Sequence, residues 1–300
     1  MPDASSPELT VGAHRRTRPM GAAARARPAD RHAFWRSPDL PFIEAREVHD
    51  GREVCYDRHA HATFSVGVIT GGECNYWNQG IEERAGPGTL VLMNPEDVHA
   101  CNPASDIAWS YRMIYVDVEW LTRQQLGCED TSARDFRPFA DIVSTDGELY
   151  RGLNALYDTL TDRHGDLLSK ESAAIEYFHT LCRRLEQTPG ACPLPANLRV
   201  DRAAEYIDAN CTDTLRLADI CKASGLSPAY LIRAFKTRFG MTPHAWLINR
   251  RIRFAQSELK RGRPLADVAL AAGFADQAHF QRLFKRHVAA TPRQYTAAQR

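Results

Sequence analysis

Several things are missing from this chain. No apolar run approaches the ~18 residues needed to cross a bilayer, so no membrane partner is expected. There is no Cys-x-x-Cys and no secretory stretch. The eight cysteines (Cys55, Cys74, Cys101, Cys128, Cys182, Cys192, Cys211 and Cys221) therefore read as reduced thiols of a cytoplasmic protein. No nucleophile–base pair, phosphate-cradling loop or paired-carboxylate spacing stands out, which argues against an enzyme. Large apolar residues are almost absent from residues 1–31, a stretch rich in Ala, Pro and Arg. Such a segment cannot bury enough surface to offset its ordering entropy and is expected to be disordered. It reads either as a basic arm for DNA phosphates or as sequence ahead of a true start at Met20.

Net charge is also nearly absent, at +1 over 300 residues, but it is unevenly spread. Residues 198–300 carry 18 Lys/Arg against 8 Asp/Glu, and residues 1–197 carry 20 against 29. Length alone favours two domains, and the asymmetry suggests that only the second meets a polyanion.

What is present in the second half is one motif written twice. Leu217-Ala218-Asp219-Ile220, Gly225, Arg233, Phe235-Lys236, Thr242-Pro243 and Trp246 match Leu265-Ala266-Asp267-Val268, Gly273, Arg282, Phe284-Lys285, Thr291-Pro292 and Tyr295. The offset is 48 before the glycine and 49 after it, so one inserted residue aligns the copies. Each copy has the pattern of a helix-turn-helix, over 217–239 and 265–287. A short helix carries a small residue (Cys221, Ala269) four before a glycine that tolerates positive φ, and a second helix follows. In the second helices, Leu231, Ala234, Phe235 and Phe239, and then Phe280, Leu283 and Phe284, form apolar faces. The opposite faces are polar and basic. Ala229, Tyr230, Ile232, Arg233 and Lys236 occupy the first, and Gln277, Ala278, His279, Gln281, Arg282 and Lys285 the second. Arg and Gln are the side chains that pair bidentately with guanine and adenine edges in a major groove. Between the copies, Ile248, Ile252, Ala255 and Leu259 predict one helix over 243–261, with Arg250-Arg251 and Arg253 suited to phosphate contact.

The run Gly273-Phe274-Ala275-Asp276-Gln277-Ala278-His279-Phe280-Gln281-Arg282-Leu283-Phe284-Lys285, with Thr291-Pro292-Arg293-Gln294-Tyr295, resembles the DNA-binding domain of AraC/XylS-type bacterial transcription regulators. The resemblance implies two helix-turn-helices bridged by one helix, each placing a recognition helix in successive major grooves of double-stranded DNA.

From Phe34 to about Val118 the texture is β. Phe64, Val66 and Val68 alternate with Ser65, Gly67 and Ile69, which predicts a strand with one well-buried face. Thr89–Met93 and Ala108–Val118 read as further strands between Gly- and Pro-marked turns, in a sandwich or small barrel. His59-Ala60-His61, Gly72, Gly88 to Pro95 and His99 resemble the cupin-like effector domain of the same family. His59, His61, Tyr76 and His99 are the expected effector-binding residues, with Trp77, Trp109 and Tyr111 as further aromatic lining. Three neutral imidazoles with an open position would suit zinc or ferrous iron. Metal-binding cupins, however, add a glutamate soon after the His pair, and here Ala62-Thr63-Phe64-Ser65-Val66 follows. No metal and no cofactor is expected, and a cupin-type metalloenzyme with a DNA-binding tail is the alternative.

Leu149, Leu153, Leu156 and Leu160, then Ile175, Phe178, Leu181, Cys182 and Leu185, predict a helical hairpin over 147–186. One stripe must cover the β-domain, and a second is available to a partner copy in a homodimer. Residues 187–197 hold three prolines and a glycine and read as the linker. The expected architecture is α+β: segment 1–31, a cupin-like barrel over 32–146, the hairpin, the linker and an all-α domain over 198–300. The resemblance implies a promoter-bound factor that answers a small-molecule effector and recruits RNA polymerase, with activation favoured over repression.

The division of labour is testable. Residues 198–300 alone should shift a DNA duplex in a mobility assay, and residues 32–186 alone should not. DNA binding by the acidic fragment would overturn the division.

Overall fold

The computed structural model describes residues 32–128, 135–187 and 197–297. The readings made above for residues 1–31, for Cys192 and for nearly all of the linker lie outside the described residues.

Two antiparallel sheets form the first half. The larger has the order β1 (His32–Arg36), β2 (Ile43–Val48), β8 (Ser110–Val116), β3 (Phe64–Gly71), β6 (Leu90–Met93) and β9 (Val143–Ser144). The smaller has the order β5 (Ile81–Ala85), β4 (Cys74–Asn78) and β7 (His99–Pro103). Both faces of β3 are buried, not one as its alternation suggests. Phe64, Val66 and Val68 enter a core shared with the helices, while Ile69 enters a second core, between the sheets, with Val91, Met93, Tyr111, Tyr76 and Cys101. A sheet covered on both sides leaves no polar face to alternate with.

The hairpin forms as α2 (Gly147–Thr161) and α3 (Leu167–Arg184), each started by an aspartate. Asp146 accepts from Glu148 N and Leu149 N, and Asp166 accepts from Ser169 N. These caps satisfy amide groups that have no partner within their own helix. Leu149, Leu153, Leu156 and Leu160 pack with Phe178 and Leu181 onto the larger sheet. Ile175 instead points outward, as do Leu167 and Leu168. An unexpected helix, α1 (Val118–Cys128), follows β8 directly where a strand was expected to end, and buries Trp120 and Leu121 in the same core.

The second half is helical. α4 (Leu198–Ala209) buttresses the first motif copy, α5 (Leu217–Ser224) and α6 (Pro228–Phe239). α7 (Pro243–Lys260) joins it to the second copy, α8 (Leu265–Ala271) and α9 (Gln277–Val288), closed by α10 (Pro292–Thr296). α7 begins at Thr242, whose side chain accepts from Ala245 N. Its first half gives Trp246 and Leu247 to the core of the first copy. From Ile248 onward it gives Ile248, Ile252, Ala255 and Leu259 to the core of the second. An 18-residue helix spans about 27 Å.

Both cores also take residues from the first half. Phe34 sits in the second with Phe280, Phe284 and Tyr295, and Ala60 and Val98 sit in the first.

The two turn glycines hold φ of +68° at Gly225 and +76° at Gly273. Their surroundings differ. A Cβ at Gly225 would meet nothing within 4 Å, whereas one at Gly273 would stand 2.5 Å from the Thr212 carbonyl oxygen. Gly225→Ala should therefore cost about 1–2 kcal/mol in urea denaturation, from the left-handed backbone alone. Gly273→Ala should cost clearly more, and equal losses would show that the Thr212 contact is not constraining.

Candidate nucleic-acid interface and effector cavity

The outward faces of α6 and α9 carry the expected DNA-contacting residues. Ala229, Tyr230, Ile232, Arg233 and Lys236 are exposed on α6, and Gln277, Ala278, Gln281, Arg282 and Lys285 are exposed on α9. His279 is half-buried, its ring edge-on to Phe274 at 5.8 Å. Asp276 caps α9 by accepting from His279 N at 2.7 Å, and hydrogen bonds from the helix's first amides hold its carboxyl below the usual range. The copies are unequal at this point: Ser227 makes no side-chain cap bond, and Pro228 at the first turn leaves one fewer donor to satisfy.

The cations divide into two sets. Arg233, Lys236, Arg282 and Lys285 are exposed and, among the described residues, take part in no salt bridge. The arginines of α7, expected to meet phosphate, are committed elsewhere. Arg250 bonds Glu96 at 3.0 Å and Asp208 at 2.8 Å, and lies over the Trp246 ring. Arg253 bonds Glu96 at 2.9 Å. Arg251 donates to the Cys211 and Asp213 carbonyls, both at 2.7 Å. Glu96 belongs to the first half, so two of these arginines clamp the halves together. Sequence reasoning missed this because the partner lies about 150 residues away along the chain.

The clamp has further members. Buried Asn249 exchanges two hydrogen bonds with the backbone of Ala60, at 3.3 and 3.1 Å. Arg286 donates to Asp57 at 2.9 Å. Lys260 and Arg36 both pair with Glu44. Burial pushes the Glu44 carboxyl up, but the two cations outweigh it and hold the group below its ordinary range.

Between the two sheets, His59, His61 and His99 stand together, with ring centroids 4.4, 4.7 and 6.2 Å apart. β7 supplies His99, and an isolated bridge with His59 pins the irregular segment leading into β3. Each Nδ1 meets a backbone carbonyl: Asp57 O at 2.8 Å, Thr63 O at 2.9 Å and Asp97 O at 2.8 Å respectively. A carbonyl only accepts, so the proton sits on Nδ1 and Nε2 remains an acceptor on all three rings. Burial lowers all three: His59 well below its ordinary value, His61 to about 4 and His99 to about 3. The neutral rings would suit a metal. No acid joins them, however, and no group of three or more His, Cys, Asp or Glu among the described residues is placed to hold an ion.

The three rings line a narrow cavity of about 30 Å³ with Tyr56, Tyr111, Tyr115 and Trp109, room for only a couple of water molecules. Trp109 and Tyr111 are thus where expected. Tyr76 is not: it is fully buried among the core residues between the sheets and lines neither this cavity nor the larger one. Its hydroxyl donates to Leu92 O at 2.6 Å and accepts from Asn78 Nδ2 at 2.6 Å, so its proton is already used inside the core. Trp77 lies under Arg58 and beside Gly240, also away from the cavity. Tyr56 and Tyr115 escaped the sequence reading, since nothing in their spacing distinguishes a lining tyrosine from a core one. A larger cavity, of about 240 Å³, lies where the halves meet and shares Tyr56, His59, His61 and Tyr115 with the first.

Residues 40–177 match the family model described as an AraC-like ligand binding domain, and residues 220–298 match the one described as a helix-turn-helix domain. The chain is 28% identical to the HTH-type transcriptional regulator YbfI of Bacillus subtilis, over 75% of this chain and 81% of that one. It is 27% identical to the arabinose operon regulatory protein of Escherichia coli, over 73% of this chain and 75% of that one. Among solved structures, ToxT of Vibrio cholerae aligns with a TM-score of 0.51 at 13% identity, covering 85% of this chain and 96% of that one, a likeness of fold. No helix among the described residues is long and apolar enough to cross a membrane.

The histidine cluster sets a pH dependence. Unfolded histidines bind protons below about 6.5, whereas His61 and His99 resist protonation down to about 4 and 3. Stability is full above about pH 6.5 and declines as pH falls from there, because the unfolded chain then holds more protons. The melting temperature should drop between pH 6.5 and 4.5, and His61→Gln combined with His99→Gln should flatten that slope. An unchanged slope would show that these rings are not kept neutral.

Proposed function

For a chain that belongs to the AraC-type transcription regulators, with an AraC-like ligand-binding domain ahead of a helix-turn-helix DNA-binding domain, we propose the following mode of action. Residues 198–300 sit on operator DNA, with α6 in one major groove and α9 in the next. On α6, Arg233 reads guanine, Ile232 and Ala229 meet apolar features such as a thymine methyl, and Tyr230 and Lys236 flank them. On α9, Gln277, Gln281 and Arg282 supply the fuller hydrogen-bonding set, with Ala278, His279 and Lys285 beside them. The observation that carries this is the exposure of both faces, with four cations outside any salt bridge among the described residues.

A small-molecule effector contacts His59, His61 and His99, whose Nε2 acceptors select a ligand rich in N–H or O–H donors. Because the inner cavity holds so little space, effector entry must open it, and Tyr56, His59 and His61 also face the junction with the DNA-binding half. Two copies pair through the outer side of the α2–α3 hairpin, a reading supported by the outward Leu167, Leu168 and Ile175. The paired protein activates transcription by recruiting RNA polymerase, and it carries out no catalysis of its own.

Selection of bound sequences from random DNA would define the operator. On it, Arg282→Ala should weaken binding by roughly 1–3 kcal/mol and relax preference at one base position. A uniform loss on every sequence would assign Arg282 to phosphate instead.

A further inference from the structure

Two cysteines meet inside the first half. Cys74 lies on β4 and Cys101 on β7, and the strands pair with Cys74 opposite Pro103 and Tyr76 opposite Cys101. The cysteines are therefore diagonal neighbours, a spacing at which side chains on one face can touch. Both are buried in the core between the sheets, with their Sγ atoms 2.9 Å apart. A disulfide needs about 2.05 Å, so bonding would close the gap by about 0.9 Å, within reach of the side-chain torsions. A shared tetrahedral metal would instead hold two thiolates about 3.7 Å apart, given bonds of about 2.3 Å. The separation of the pair thus favours a disulfide over a metal.

One thiol of the pair faces open space. Cys101 lines the 30 Å³ cavity together with His59, His61 and His99, and Cys74 does not line it. The cavity shares Tyr56, His59, His61 and Tyr115 with the larger cleft, which gives a small molecule a way in. Room for a couple of waters is room for hydrogen peroxide, which is two O–H groups joined. Each O–H can donate to a histidine Nε2 that only accepts. We propose that Cys74 and Cys101 form a reversible disulfide when hydrogen peroxide enters this cavity. Cys101 Sγ attacks one peroxide oxygen, the O–O bond breaks, and the other oxygen takes the thiol proton and leaves as water. Cys74 Sγ then attacks Cys101 Sγ of the sulfenic acid, the S–O bond breaks, and the hydroxyl takes the Cys74 proton and leaves as a second water. Two thiols lose two electrons and one peroxide becomes two waters. The hydrogen bond with Cys74, and then burial, push the Cys101 thiol well above its ordinary range. Little thiolate is present, so the reaction is slow and the pair answers sustained oxidant, not a brief pulse. β7 begins at His99, directly after Val98 in the core of the first motif copy, so the new bond fixes a strand on which the DNA-binding half rests.

The test exposes the reduced full chain, native and without DNA, to hydrogen peroxide, then blocks the remaining thiols and maps peptides by mass spectrometry. A peptide joining Cys74 to Cys101 should accumulate, and dithiothreitol should remove it. Cys74→Ser should leave a Cys101 sulfenic acid that dimedone traps, and Cys101→Ser should leave Cys74 unoxidised. Cumene hydroperoxide, too bulky for the cavity, should form the joined peptide many-fold more slowly. If either variant fails to fold, the peptide map of the unaltered chain still decides. Absence of the joined peptide, its formation only in urea, or equal rates with both hydroperoxides would each overturn the assignment. So would a folded Cys74→Ser without a dimedone adduct on Cys101, or oxidation of Cys74 in a folded Cys101→Ser. No arm reads operator binding, so failure of the promoter reading would leave this result standing.

Discussion

The DNA-binding half depends on one constraint: α7 is a single helix whose two ends are buried in two different cores. Each core contains a recognition helix packed by its phenylalanines, Phe235 in the first and Phe280 and Phe284 in the second. Moving one recognition helix relative to the other therefore means bending α7 or unpacking a core. Interiors at crystal-like density resist both. The separation of α6 and α9 is a property of the rod, not of the loops at its ends.

Charge is used in two ways around that rod. Arg233 and Lys236 on α6 and Arg282 and Lys285 on α9 stand in solvent, available to a polyanion. Arg250, Arg253 and Lys260 on α7 face Glu96, Asp208 and Glu44 and bind the protein to itself. An exposed ion pair contributes little, but a cluster sharing one carboxylate at a partly buried junction contributes orientation as well as energy. The same residue type thus serves recognition on one surface and assembly on another. Arg46 belongs to neither group, because its charge is enclosed and answered only by hydroxyls, ring nitrogen and carbonyls.

The helical half was readable because its cues are local and agree. Apolar spacing, turn glycines, Pro at first turns and the duplicated pattern all fall within a few residues of what they determine. The α2–α3 hairpin was readable for the same reason, apart from Ile175, whose helical face is shared between core and solvent. α1 was missed because Val118 and Trp120, alternating with Asp117 and Glu119, continue the strand-like period of β8 into the helix. Tyr76 was misplaced because alternation tells which face a strand residue takes, not what packs against that face. The clamp and the Arg46 cluster were invisible for a stronger reason: their partners, such as Glu96 with Arg250 or Arg46 with Val288, are brought together only by the finished fold.

Phe34 in the core of the second motif copy, with Ala60 and Val98 in that of the first, makes each half part-owner of the other's interior. Melting of the sheets would then leave holes in the helical half, so both should unfold in one cooperative transition. An inherited change deep in the β-region can therefore loosen the helical half without altering any residue of that half.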